Sequence, residues 1–355
     1  MRSFAFQLFS AALLAMSASL AAQAATFCAT TTAELQTALT TAAGNNQDNT
    51  IDVHLGTYAV PAGGFVYSAT SNHSLDLEGG WYGSSPGQCI VQEFTGDETV
   101  LDGQNTDPVM NIQTEGTTGN ITVRYFTFEK GFGTTSSLYV AADISTGSIR
   151  VENSLFRGNQ SNTNNNAYEV DVASYAGVVY FLDNAIVDNV GAPGGVALRL
   201  YSGDTIDSYG VYMNNNTIAG NTAIDGSPLE GVFPGGGGTF TVSNNIVWDG
   251  SADDFINDTT FSAPNLILTN NDVDGFGLPP PQSSGDIKKD PKFIDPANGN
   301  YRLMGDSPAR DAGENSPPGT TRNVDLDGNP RVVFGTVDMG AYEIQDEIFV
   351  DGFGG

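Results

Sequence analysis

The feature that most constrains this chain is that its middle repeats itself. "VRYFTFEKG" (123–131), "VENSLFRGN" (151–159), "FLDNAIVDN" (181–189), "YMNNNTIAGN" (212–221), "TVSNNIVWDG" (241–250) and "LTNNDVDGFG" (268–277) align on Phe128, Phe156, Ile186, Ile218, Val247 and Val273. The spacings are 28, 30, 32, 29 and 26 residues. Three residues before the last five anchors stand Asn153, Asp183, Asn215, Asn244 and Asn270. A period of this length marks a solenoid, in which each unit buries its apolar face against the next. The units carry no helical period. They hold short alternating strands, with further ones between them in "SLYVAADIS", "YEVDVAS" and "VALRLYS". Two or three strands and a turn per repeat make one coil of a parallel β-helix, one strand face filling the interior and the other facing water. Asn recurring at one register predicts a ladder in which Asn153, Asn215, Asn244 and Asn270 bond from coil to coil. The alternative is that each serves its own turn.

The ends of the repeat region are legible too. Thr31 and Glu34 form a capping box, and Leu35, Ala38, Leu39 and Ala42 then recur as one apolar stripe up to Gly44. This predicts a helix over 31–43, suited to plug the open end of a β stack. "TIDVHLGTY", "SLDLEGGWYG" and "ETVLDGQNT" read as the first coils. "GSPLEGVFPGGGG" (226–238) reads as a long loop bulging from one coil, and "GFGLPPPQSSG" (275–285) as a boundary before a final part.

Charge narrows the partners. Forty-one acidic residues face 13 basic ones, for a net charge of -28. Phosphate backbones need clustered Lys and Arg, and no cluster exceeds Lys288, Lys289 and Lys292, so nucleic acid is excluded as a partner. Arg2, the apolar stretch Phe4–Ala22 and the small-x-small triplet Ala22-Gln23-Ala24 read as a signal peptide over 1–24. Nothing after it is apolar enough to span a bilayer, so a secreted or cell-surface protein is expected, as a monomer. In an exported chain the lone pair Cys28 and Cys89 is most simply one disulfide. Two cysteines and two separated histidines, His54 and His73, do not make a zinc site.

The order helix, "LEGGWYG", a Cys, "TVLDG", then "NITVRYFTFEKG" resembles the right-handed parallel β-helix proteins of the pectate-lyase-like superfamily. "DPKFIDPANGNYRLMGDSPARDAG" followed by "DLDGNPRVVFGTVDMGAYE" resembles the choice-of-anchor Q domain, a C-terminal part of exported bacterial β-helix proteins. The resemblance implies an all-β solenoid over 25–284, a C-terminal part over 285–343 that completes it, and surface display. It implies no particular reaction. The tail 344–355, ending "IFVDGFGG", is similar to short tails on some exported proteins and reads as a sorting signal; the alternative is a frayed terminus.

Candidate chemistry is sparse. Asp325, Asp327 and Asn329 resemble the start of an EF-hand loop, but position six is Pro330 and position twelve is Thr336. A turn tied by Asp and Asn side chains is the better reading; calcium in another geometry stays open, and no other cofactor is implied. Arg310, Asp311, Arg331 and Asp338 read as structural ion pairs. Alternation turns Glu169, Asp171 and Arg199 outward on neighbouring coils, a layout in which calcium would hold a substrate uronate and Arg would take its α proton. Carboxylate pairs would suit glycoside hydrolysis instead. Alternation also puts charges outside on every strand, so a solvated face competes with both. The expected function is non-catalytic binding of a polysaccharide or cell-surface glycan. The rivals are a polysaccharide lyase or glycoside hydrolase, and a passive structural rod.

Overall fold

The computed structural model describes residues 24–345, apart from 84–86, 97, 117, 162–167, 194, 204–209, 228, 237–238, 250–265, 276–281, 321 and 334. The expected signal peptide and the tail after Gln345 lie outside the described residues, as does most of the expected 275–285 boundary loop. Strands stack in parallel into three main sheets, the faces of a parallel β-helix. Sheet 1 runs from Ala25–Ala29 to Gln282–Ser284, sheet 2 from Gly56–Ala59 to Asp272–Val273, and sheet 3 from Phe65–Ala69 to Glu230–Gly236. A short four-stranded ladder links sheets 2 and 3.

The repeat anchors are the interior. Phe128, Phe156, Ile186, Ile218, Val247 and Val273 pair residue for residue down sheet 2 and are all fully buried. The Phe128 and Phe156 rings stack at 4.8 Å. The helix forms as Thr32–Gly44, with the Thr31 hydroxyl accepting from Glu34 N–H at 3.2 Å and Leu35, Ala38, Leu39 and Ala42 turned onto the first coils. Cys28 and Cys89 are joined, tying the first strand of sheet 1 to a later loop, with Cα atoms 5.7 Å apart. Among the described residues no helix is long and apolar enough to cross a membrane.

Three expectations need correction. The 226–238 stretch is not a bulging loop: Glu230–Gly236 is the last strand of sheet 3, in register with Val196–Ser202. Among the described residues no strand pairs with its other edge, a place that suits its glycines and Pro234. The ladder stands one residue later than predicted. Asn184, Asn216, Asn245 and Asn271, all fully buried, pass hydrogen bonds of 2.8–3.2 Å from coil to coil and end on Asp286. A second ladder, Asn159, Asn189, Asn221 and Asp249, runs beside the short four-stranded sheet. The predicted positions Asn153, Asn215, Asn244 and Asn270, with Asp183, have φ between 43° and 61°. They form the left-handed corner of each coil, a conformation Asn and Asp adopt more readily than most residues, and one bond of the predicted kind runs between them, from Asn215 Nδ2 to Asp183 Oδ1 at 3.2 Å.

The third correction concerns 285–343: Asp286 and Ile287 finish the last coil, Ile287 bridging Asp272 in parallel, and the described residues after them add no coils. After sheet 1 ends, the chain makes the antiparallel hairpin Phe293–Asp295 and Asn300–Leu303 and folds back along the outside. The column of left-handed corners holds it there. Asn270 Nδ2 donates to Ala312 O at 2.9 Å, Asn244 exchanges two bonds with Glu314, and Asn153 Nδ2 donates to Asp325 O at 3.0 Å. The returning segment covers the outer face of sheet 2, where Leu155, Ala185, Val187, Ala219 and Ile246 point away from the interior. The row Asp102, Glu129 and Arg157 on the same sheet lies outside this cover, and Arg157 pairs there with Glu129 at 3.0 Å.

Candidate functional site

The predicted trio does not converge. Arg199 Nε meets Asp171 Oδ1 at 2.8 Å, and the guanidinium stacks on Tyr168 at 4.8 Å. Burial would lower the Arg199 guanidinium, but Asp171 beside it outweighs that and raises it, the wrong direction for a proton-abstracting base. Glu169 is not on the outer face. Ser136 and Ser137 together oppose it across a bulge, and it is fully buried, accepting from the Ser136 hydroxyl. Among the described residues its Oε1 meets the hydrogen-bond criteria with no partner.

Burial pushes the Glu169 carboxyl up to about 8, against small opposing pulls from Ser136 and Ser161. A carboxyl raised on folding contributes stability below its unfolded range, near 4.5, and loses it as pH climbs through 8. Glu343 and Asp272, also raised mainly by burial, share that sign. Glu169→Gln, which cannot ionise, should therefore gain on the wild type by roughly 3 kcal/mol between pH 5 and pH 8.5. Denaturant titrations at the two pH values measure it; parallel stability curves would place the Glu169 charge in contact with water.

Positive charge gathers elsewhere, on the outer face of sheet 1. Thr122, Arg150, Tyr180, Tyr212 and Thr241 pair down that sheet in one outward row. The Arg150 guanidinium lies 4.1 Å from the centre of the Tyr180 ring, and Tyr180 stacks on Tyr212 at 5.3 Å. The returning C-terminal segment forms a wall along this row. Asn214 anchors it by donating to Pro318 O at 2.7 Å, and a Cβ on Gly319 would strike the Tyr212 ring, so that close approach needs glycine. The wall, Phe94, Tyr125 and Arg150 enclose a groove of about 520 Å³.

One carboxylate organises the cations. Glu152, 1% exposed, lies 2.6 Å from Arg150 Nε, 3.2 Å from Arg322 Nη1 and 3.9 Å from Arg124 Nη1. Arg322 also bonds the Tyr125 hydroxyl, and Arg124 pairs with Glu78. Three of the chain's nine arginines thus meet around one buried acid. Arg150 is held by its Nε and its ring stack, while among the described residues its two terminal nitrogens bond to nothing. A planar fork fixed in this way and open at its end suits a bound carboxylate.

At the end of the groove row Asp76 shares a face with Glu78. Burial, then Glu78, pushes Asp76 up to about 6, and Arg124 pulls the other way. Burial also lifts Asp52 on the neighbouring coil to about 7. Among the described residues no three His, Cys, Asp or Glu side chains gather as metal ligands do. The EF-hand-like stretch is a turn: Asp325 Oδ1 accepts from Asp327 N–H at 3.1 Å and Asn329 N–H at 2.8 Å. Arg331 pairs with Asp183 at 3.3 Å, and Asp338 accepts backbone N–H groups rather than a cation.

Sequence reasoning missed the groove, although half of it was readable. Three residues before each left-handed corner the repeats carry Thr122, Arg150, Tyr180, Tyr212 and Thr241, an outward row with an arginine and two aromatics together. Arg322 and Phe94 could not be placed, because they arrive from segments outside the repeat. No family model matches the chain, and no curated protein matches it.

Proposed function

We propose that this is an exported, non-catalytic glycan-binding protein that holds an acidic polysaccharide in the groove on sheet 1. The arrangement of Arg150 carries the reading: it lines the groove, stacked on Tyr180 and fixed by Glu152, with terminal nitrogens that bond to nothing among the described residues. The exposed Phe94 ring at the groove, beside a preset guanidinium, suits a sugar ring bearing a carboxylate. In a chain of net charge -28 three arginines gather here, and at physiological salt the distant acids are screened within about 8 Å. The signal peptide over 1–24 and a place in the pectate-lyase-like superfamily, with a choice-of-anchor Q-like part over 285–343, belong to the same reading. They put the protein at or beyond the cell surface, displayed or released according to the fate of its tail. Affinity electrophoresis through gels containing pectate, alginate or a neutral glucan tests the binding. The acidic polymers should retard the protein, and Arg150→Ala should weaken that retardation roughly 10- to 100-fold, the worth of a charge-assisted bidentate contact. Equal retardation of wild type and variant would remove the groove from the reading.

Hydrolysis is a second reading, favoured by one observation: Asp76, held up near 6 beside Glu78, is a carboxyl poised to give a proton. New reducing ends released from a polysaccharide by the wild type, and not by Asp76→Asn, would establish it in place of simple binding.

A further inference from the structure

On the outer face of sheet 2, remote in topology from the groove, lies a second cavity of about 470 Å³ whose floor is aromatic and whose rim is charged. Trp248 ends the outward row Val187, Ala219 and Trp248. Val187 and Ala219 are buried under Tyr301 and Tyr342 of the returning segment, whereas Trp248 is only partly covered. Its indole N–H donates to nothing among the described residues. Phe293 stands beside it, packed edge-on against Tyr301 at 5.1 Å. The Tyr301 hydroxyl is tied to Asp188, and a Cβ on Gly220 would collide with that hydroxyl, so the floor is set in place by the fold. Asp290 and Lys292, both exposed, form the rim, and Lys292 is itself paired with Asp306 at 2.6 Å.

We propose that this cavity is a binding site for a neutral hexopyranose unit, stacked on Trp248 and hydrogen-bonded at the Asp290 and Lys292 rim. The chemistry selects that class. An indole face and a phenyl ring accept the C–H face of a pyranose, and a free indole N–H and a carboxylate serve its hydroxyls. An acidic sugar is disfavoured, because Asp290 stands at the rim and the one cation there already has its counter-ion. The site does not depend on the groove, which uses other strands and the opposite charge.

Calorimetric titration of the mature protein with neutral hexasaccharides of glucose, mannose and galactose, and with a hexauronate, tests it. At least one neutral hexamer should bind saturably and quench tryptophan fluorescence. Trp248→Phe, which keeps a ring in the packing, and Asp290→Asn, which touches only the rim, should each weaken that binding at least fivefold. Arg150→Ala should leave it unchanged. No heat from any neutral hexamer at 10 mM would overturn the proposal. So would binding that survives both variants, or a preference for the hexauronate that persists in Arg150→Ala.

Discussion

Asn245→Ala is expected to destabilise the protein by about 3–5 kcal/mol, among the largest single losses this fold can show. Asn245 Nδ2 donates to Met213 O at 2.8 Å, Ser243 O at 3.0 Å and Asn271 Oδ1 at 2.9 Å. Its Oδ1 accepts from the backbone N–H and the side chain of Asn216. Every partner is fully shielded from water, so truncation orphans groups on three successive coils at once. Asn244→Ala, one residue earlier, should cost less, about 2 kcal/mol. It loses two bonds to Glu314 and puts alanine in a left-handed corner, while the ladder stays whole. Urea denaturation of both variants separates the two roles. Equal losses, or a larger loss at Asn244, would contradict the ladder as described.

Arg331→Met tests how the C-terminal segment is fastened. Arg331 is 1% exposed and lies 3.3 Å from Asp183, which is wholly buried. Burial holds Asp183 up near 6 even with Arg331 pulling it down. Removing the arginine strands a buried carboxylate, a loss of about 3–5 kcal/mol near neutral pH. Asp183 would then rise further, so the variant loses most above neutrality and recovers in acid as the carboxyl takes up its proton. Asp183→Asn combined with Arg331→Met should regain most of the loss, because asparagine already serves at this corner in Asn153, Asn215, Asn244 and Asn270. Thermal unfolding at pH 5 and pH 8 measures both effects. A single variant that melts alike at the two pH values, or a double variant no better than the single, would show that the pair does not fasten the segment.

The solenoid was legible because its signal is periodic: six anchors at near-constant spacing leave one way to stack. Alternation then failed at particular residues. Glu169 turned inward because Ser136 and Ser137 spend two residues opposite one, which no pattern within 168–174 announces. The ladder slipped by one residue because "NN" and "DN" pairs offer two amides per turn, and only backbone dihedrals tell which is the corner and which the rung. The C-terminal segment was misplaced for a different reason. Leu155, Ala185 and Ile246 sit in short strands apolar on both faces, and sequence alone does not distinguish a doubly buried strand from one covered by a later segment. The groove needs that segment as its wall, so the site could not be assembled from the repeat alone.

The most direct measurement is a crystal structure of the mature protein soaked with a hexauronate. The glycan-binding account predicts an unbroken chain lying along the groove past Phe94, with a sugar carboxylate seated on the terminal nitrogens of Arg150. A hexamer bound elsewhere with the groove empty, or a shortened product beside Asp76, would contradict it.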